Sequence, residues 1–490
     1  MRLSRRDLMT LGGATALSTA LPEFQKGRTQ AKNIIFCVSD GMAASIPTMA
    51  DHFQQLELGK PSYWSWLMKQ EFTVNGLQDC RSLNSIVTDS SAASSAWGCG
   101  RHVWNGQVNM FPDGTELRTL TQIMNQAGIR CGLVTTATIT HATPAGFSVN
   151  CEFRDKEAII AERYLSNSGV DILMGGGDRF FSASGRADKR DLYADYQQSG
   201  FKVVRDRAST LGLKSSKILG IYSSSHMPFT VDHVNDPALV ASTPTLAEMA
   251  SVAIDNLKDS RHGFLLQIEG AKIDHGCHAN DLAAAIYDQI AFEQAVKVAI
   301  DFALKDGNTL VVITADHATG GPSLNGAGTE YIDSPAGLRL LAAMKSSYGS
   351  VFTAMGTTPT VASVQSAVEE KLGIKLTPEE AQCVVDSRGG KHPLGENIFM
   401  RSSNATLAQM LGNHTKVGWT GGNHTSDYVL VSAVGPGKEL FSGLTQNTAM
   451  FDIMLGLKGL KWRNPTMSFE EARKHMERKK QAVVSRDEFC

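Results

Sequence analysis

A chain of 490 residues, 42% apolar and 20% charged, is long enough for one large α/β domain with an insertion or for two or three average domains, and its composition excludes a disordered protein. A formal net charge of −2, with no run of Lys and Arg, excludes a dedicated nucleic-acid-binding module. Eight cysteines scattered between Cys37 and Cys490, with no CxxC pair, exclude a small-domain disulfide framework and zinc-finger spacing.

In chain order, the first residues do not read as fold. Arg5 and Arg6 precede a short, weakly apolar stretch from Leu8 to Leu21 that is too short for a stable membrane span and carries small residues suited to cleavage. Ser4-Arg5-Arg6 resembles a twin-arginine export signal, a receptor-read address. The expected organisation is therefore an export signal at 1–22 and a folded unit at 23–490. The mature protein is expected to be soluble, without a membrane span, and periplasmic or secreted. In such an oxidising compartment Cys80 and Cys99 could pair.

The recurring unit beyond is an apolar strand, a polar or Gly-rich break, and an amphipathic helix. "NIIFCV" (33–38) runs into "SDGM"; "TELRTLTQIMNQAG" (115–128) reads as a helix and "RCGLVTTATI" (130–139) as the next strand. "VDILMGGGD" (170–178), "GFLLQIEGAKID" (263–274) and "TLVVITADHATGG" (309–321) repeat the pattern. "TPTLAEMASVAIDNLKD" starts a helix with Thr243 as candidate N-cap, and a second helix is expected from about 283 to 307. Buried strands alternating with helices predict an α/β fold, a mostly parallel sheet with helices on both faces. Residues about 322–410 break the rhythm, with one small helix "TPEEAQCVV" (377–385), and read as an insertion near the mouth of the site. The alternation returns at "DYVLVSAVG" (427–435) and closes near "AMFDIMLGL" (449–457). The charged tail reads as a solvated helix or frayed end with no catalytic part.

In open α/β sheets ligands bind outside the carboxyl ends of the strands. Four strands here carry metal-competent side chains at or beside their ends: Asp40; Glu269 followed by Asp274 and His278; the pair Asp316-His317; and His424 just before a strand. Singly, each has an ordinary structural reading, as a helix cap or a solvated pair at i, i+4 spacing. Together, three His and three Asp suffice for two sites of three protein ligands each, the open geometry of catalytic zinc, while Glu269, a further carboxylate and Thr143 suit magnesium. Two metals about 4 Å apart can clamp the attacking and leaving oxygens of an in-line displacement. Composition alone makes "VTDSSAASSAWGCG" (87–100) a linker. Asp89-Ser90, however, precedes a helix-prone run, and a helix N-terminus favours an anion beside the Ser90 hydroxyl. A serine there becomes a competent nucleophile once a base or metal lowers its pKa.

These stretches, with "THATPAGF", "GGGD", "TLAEM", "EGAKIDHGCH", "TADHATGG" and "GGNHT" in this order, resemble the alkaline phosphatases, metal-dependent phosphomonoesterases, over nearly the whole chain after the signal. The resemblance implies Ser90 as the nucleophile that becomes phosphoserine. It implies one zinc held by Asp274, His278 and His424, a second held by Asp40, Asp316 and His317, and a magnesium held by Asp40, Thr143 and Glu269. It implies Arg154 as the arginine that forks two phosphoryl oxygens, although a short shift at "FSVNCEF" would put Cys151 there instead. His141 and His275 stand beside the magnesium ligands, where many bacterial members carry Asp and Lys, and could alter metal preference or pH profile. Ser91 is a possible rival nucleophile; His226 and His414 match no ligand position and read as structural. The implied substrates are small phosphate monoesters, and the implied assembly is a homodimer. Rival readings are a phosphodiesterase or nucleotide pyrophosphatase of the same superfamily, which usually lacks the third metal; an exported metal- or phosphate-binding protein, which would lack a ligand or the nucleophile; and a phosphomutase or sulfatase relative. A sulfatase requires a C/S-x-P-x-R context absent around Ser90.

Overall fold

The computed structural model describes residues 30–395 and 397–480, so the expected export signal lies outside the described residues. Among the described residues, fourteen strands run in chain order. β1 is Asn33–Ser39, β2 Thr73–Asp79, β3 Arg130–Thr138, β4 Ile172–Gly176, β5 Lys202–Val204, β6 Ile218–Ile221, β7 Phe264–Gly270 and β8 Thr309–Thr314. The short β9 Ala318–Thr319, β10 Ser323–Leu324, β11 Val417–Gly418 and β12 His424–Thr425 are followed by β13 Val429–Val434 and β14 Gly443–Gln446. Ten of them form one sheet in the order β14-β2-β13-β8-β1-β7-β3-β4-β6-β5. Every neighbouring pair is parallel except those made by β13, which runs antiparallel to both β8 and β2.

β1 shows why the central strands read as continuous apolar runs. Ile35 and Cys37 point into one core with the Ser45–Leu58, Leu246–Leu257 and Leu282–Asp306 helices. Ile34, Phe36 and Val38 point into a second core with Trp97, Phe147 and Phe451. A strand covered on both faces has no polar alternation to show. Each such fully buried side chain contributes roughly 1.5–3 kcal/mol.

Local chemistry corrects several expected boundaries. Thr245, not Thr243, caps the Leu246–Leu257 helix, because its hydroxyl and Glu248 form a reciprocal capping box. The helix expected over 115–128 is only Leu120–Gln126, again boxed by Thr119 and Gln122, while Glu116 is in a β-bridge with Met110. β2 went unread because its first five residues are only half-buried or exposed and its two buried ones, Gln78 and Asp79, are polar, so no apolar run marks it. Between β10 and β11 the chain is largely helical, with helices at Ser334–Arg339, Tyr348–Met355, Val361–Leu372, Pro378–Arg388 and Ser403–Thr415, where a single helix was expected. Cys80 and Cys99 are both free thiols rather than a pair. Among the described residues one segment, Pro237–Leu257, is long and apolar enough for a span. It is two helices, however, and Met249, Ala253 and Leu257 of the second are buried in the core.

Candidate active site and metal centre

The site is built on the carboxyl ends of the three central strands. Asp40 follows β1, Glu269 lies at the end of β7, and Asp316-His317 follow β8; β1 pairs with both others, which places these carboxylates side by side. The Lys272–His278 helix starts just after β7 and carries Asp274 and His278 one turn apart. His424 arrives from β12, which pairs antiparallel with β9 and so lies against the turn after β8.

Three groups of side chains offer ligand atoms that lie within 4.8 Å of one another: Asp274-His278-His424, Asp40-Asp316-His317, and Asp40-Glu269-His141. The tautomers of the first two groups follow from their partners. His278 Nδ1 donates to the Gly422 carbonyl at 2.6 Å and His424 Nδ1 to the Thr88 carbonyl at 2.7 Å, since a carbonyl can only accept. Thr319 gives its hydroxyl proton to Asp274 Oδ1 at 2.7 Å, so at 3.2 Å His317 Nδ1 must be the donor to Thr319 Oγ1. Each imidazole therefore carries its proton on Nδ1 and turns the Nε2 lone pair inward. The Nε2 atoms of His278 and His424 face each other at 3.0 Å, and His317 Nε2 lies 3.2 Å from Asp316 Oδ2 and 3.7 Å from Asp40 Oδ1. Lone pairs at such distances repel unless a proton or cation sits among them, and pinning one ring nitrogen to present the other is how proteins prepare imidazole for a metal.

The carboxylates give the same signal. Both oxygens of Asp40, both of Glu269, Asp316 Oδ2, Thr143 Oγ1 and His141 Nδ1 are buried with no hydrogen-bond partner. Burial raises the Asp40 carboxyl well above its usual range, and Asp316, Asp274 and Glu269 push it further. Burial lifts Glu269 to about 7 and Asp316 to about 6. Asp274 runs the other way: burial pushes it up, but the positive charge of His278, His424 and His317 once they take a second proton outweighs burial and holds it well below the usual range. Unpaired buried acids of this kind are costly alone and are suited to a divalent cation. The donor set thus fits two N/O sites and one mostly oxygen site. The third differs from the all-oxygen expectation, since a ring nitrogen of His141 joins Asp40 and Glu269 there.

Ser90 is the first residue of the Ser90–Cys99 helix, capped by Asp89, whose Oδ1 accepts the Ala92 amide at 2.9 Å. Its hydroxyl donates to His317 Nε2 at 3.2 Å, which puts it against the buried trio. The Ser91 hydroxyl instead donates to Asp89 Oδ2 at 2.7 Å. Arg154 Nη1 bonds Asp89 Oδ2 at 3.2 Å and Nη2 donates to His141 Nε2 at 3.2 Å. Burial alone would lower its pKa, but Asp89 keeps the guanidinium charged. Cys151 does not compete for this place: it is buried, with its backbone paired to Val108.

Two features escaped the sequence reading. Thr319, inside the "TADHATGG" stretch, links the two imidazole-bearing trios. His226 is not an isolated structural residue: its ring lies 4.5 Å from His275 and 5.4 Å from His141, with Nδ1 accepting the Thr138 amide at 3.1 Å. His414 instead bonds Glu380 at 3.0 Å.

With this geometry in place, comparison with known proteins is decisive. The family model described as Alkaline phosphatase matches residues 31–460. The chain belongs to the alkaline phosphatase family. It is similar to alkaline phosphatase 3 of Bacillus subtilis, 32% identical over 462 residues that cover 91% of this chain and 93% of that one. It is also similar to the alkaline phosphatase of Escherichia coli K12, 30% identical over 65% of this chain and 77% of the other. The crystal structure of Thermus thermophilus alkaline phosphatase superposes with a TM-score of 0.86 at 32% identity, covering 94% of this chain and all of that one. This member of the family is accordingly a phosphatase acting on phosphate monoesters, with an α/β fold and clusters suited to metal cofactors.

Proposed function

We propose that this phosphatase works through a phosphoserine on Ser90, in a site that takes two zinc ions and a third divalent cation. What carries the proposal is the set of inward-facing Nε2 lone pairs and partnerless buried carboxylates arranged around one serine hydroxyl. Zinc ions held by Asp274, His278 and His424 and by Asp40, Asp316 and His317, with magnesium held by Asp40, Glu269 and Thr143, would supply Lewis-acid charge and lower the pKa of the serine and of water.

The chain's own residues do the rest. Ser90 Oγ forms a bond to phosphorus as the bond to the ester oxygen breaks, and the departing alcohol takes up the proton that the serine gives up. Water then bonds to phosphorus, the bond to Ser90 Oγ breaks, and the serine regains a proton as inorganic phosphate leaves. Two in-line inversions give net retention at phosphorus. Arg154, charged and held by Asp89, forks the non-bridging oxygens, and the amides of the first turn after Asp89 add positive potential on the same side. His141 supports a third site less purely oxygen-based than magnesium prefers, because imidazole suits zinc and its neighbours in the first-row series.

Glu269 and Thr143, both with partnerless buried oxygens, support three cations and hence a monoesterase rather than a two-zinc phosphodiesterase. The twin-arginine resemblance of Ser4-Arg5-Arg6 supports export to the periplasm or beyond, and the family resemblance supports a homodimer. Release of phosphate from a chromogenic monoester and from the matching diester, before and after chelation and readdition of zinc and magnesium, tests the proposal. Turnover of the monoester should dominate and depend on metal; equal turnover of the diester, or activity indifferent to chelation, would contradict it.

A further inference from the structure

The family match stops at residue 460, yet the chain continues along the far side of the loop that frames the nucleophile. That loop runs from Arg101 to Gly106. Asn105 Oδ1 accepts the Asp89 amide at 3.2 Å, and the Gly106 amide donates to Asp89 Oδ2 at 2.9 Å. The Gly106 carbonyl in turn accepts the Arg154 amide at 2.8 Å. Gly106 has φ +89°, a conformation that residues with a Cβ seldom adopt, so the turn that makes both contacts is specific. One loop thus sets the backbone of Asp89, the placement of its carboxylate, and the start of the Arg154 side chain.

Residues 462–472 grip the same loop from outside. Asn464, which is 4% exposed, donates from Nδ2 to the Cys99 and Arg118 carbonyls, both at 2.8 Å, and accepts the Arg118 amide at 2.9 Å. Arg101 Nε donates to the Asn464 and Pro465 carbonyls, both at 3.0 Å. Met467 packs on the small core formed by Ala92 and Cys99 of the serine helix with Val103, Phe111 and Leu117. Ser468 and Glu471 form reciprocal caps that start the last helix at Phe469, and the Phe469 ring stacks on Trp104 at 6.0 Å and 7°. Trp104 immediately precedes Asn105 and Gly106.

We propose that residues 462–472 are a positioning strap. The Asn464 side chain, through the Cys99 carbonyl where the serine helix runs into the loop, and the Phe469 ring, through Trp104, hold the 101–106 loop, and through it the Asp89 carboxylate and the Arg154 guanidinium, in the placement that receives the phosphoryl group. This rests on the reading of Ser90 and Arg154 as the reaction centre. Asn464 and Phe469 lie just before the charged tail from Glu470 onward that was expected to have no catalytic part.

The test uses the full chain with its metals and compares Asn464→Ala, Phe469→Ala, Phe469→Trp and Arg154→Ala for kcat, KM of a chromogenic monoester, inhibition by inorganic phosphate, and thermal midpoint. Because displacement by about 1 Å from a remote change can cost up to ~10²-fold, the strap predicts that KM and the phosphate inhibition constant rise together, by roughly 10-fold in Asn464→Ala and ~3-fold in Phe469→Ala. Phe469→Trp, which keeps the stack, should restore both. A merely structural tail would lower the thermal midpoint or the active fraction while KM and phosphate inhibition stay at the parent values in every tail variant, and that result would overturn the strap. Should Asn464→Ala fail to fold, the Phe469 pair decides, because that ring is 43% exposed and tolerates change. Arg154→Ala separates the two levels: unchanged phosphate inhibition there would overturn the reading of the site itself, whereas a large rise there with none in the tail variants would overturn the strap alone.

Discussion

The two imidazole-bearing trios of the site are made of nearly the same residue types and behave differently. In Asp40-Asp316-His317 the side chains are no more than 1% exposed, and Asp40 has no hydrogen-bond partner on either oxygen. In Asp274-His278-His424 the imidazoles are 21% and 14% exposed, and Asp274 is bonded by Thr319 and faces His278 Nε2 at 3.3 Å. The first group is an acid cluster in which both oxygens of Asp40 and Asp316 Oδ2 lack a partner, Asp316 Oδ1 alone accepting the Gly41 and His317 amides; the second is part-satisfied by the Thr319 hydroxyl and open to solvent. The difference teaches which half depends most on metal for its integrity, and which half has room for an incoming water and a departing alcohol.

The sharpest way to break that comparison is Asp40→Asn. Asp40 belongs to both buried groups, so the loss should exceed the ~10²–10³-fold that removing a single transition-state donor costs, and bound metal per chain should fall with it. Steady-state kinetics with elemental analysis reads both; a variant within tenfold of the parent would dissolve the distinction. His424→Ala should cost less, on the order of 10²-fold, and excess zinc should recover part of the loss because the open trio keeps two ligands and access to solvent.

Thr319→Val removes only the bridge between the trios. It should lower activity or zinc affinity about tenfold, the lower end of what loss of a group supporting a metal ligand costs, with the fold intact by circular dichroism. The smallest effect is on stability. In the chelated protein Glu269 and Asp316 have folded-state pKa values of about 7 and about 6, raised by burial from 4.5 and 3.8. A raised carboxyl pKa means the folded state holds protons that the unfolded chain has released, so this contribution is present below about pH 4 and lost as pH rises through 6 to 7. The thermal midpoint of chelated protein should therefore decline by a few degrees relative to the metal-loaded protein between pH 5 and 8 on the order of one titration step per group, and Asp40→Asn should flatten the decline. Scanning calorimetry with and without chelator checks the sign.

The buried half was also the more legible in the sequence. Asp40, Glu269 and Asp316 each come at the end of a mostly apolar run, and a buried parallel strand announces both itself and the direction of its carboxyl end. His424 was legible only as a polar residue before a strand, since the two-residue β12 that places it carries no periodicity. What fixes the imidazoles stayed hidden because backbone carbonyls of Thr88 and Gly422 have no residue type to betray them, and Thr319 looks like any strand threonine. The third site drew a nitrogen where only oxygens were expected, because the i, i+2 spacing of His141 and Thr143 at a helix start does not reveal which side chain turns inward. The helices between β10 and β11 were missed for a different reason: they open on the caps Ser347, Thr360 and Ser402, residue types that also mark loops.

The most direct measurement is acid-quenched capture of labelled phosphate on the metal-loaded chain, followed by mapping of the modified residue. A phosphoryl group on Ser90, absent from Ser90→Ala and absent after chelation, is the expected result. Label on Ser91 or elsewhere, or undiminished capture in Ser90→Ala, would contradict a centre organised around the Ser90 hydroxyl.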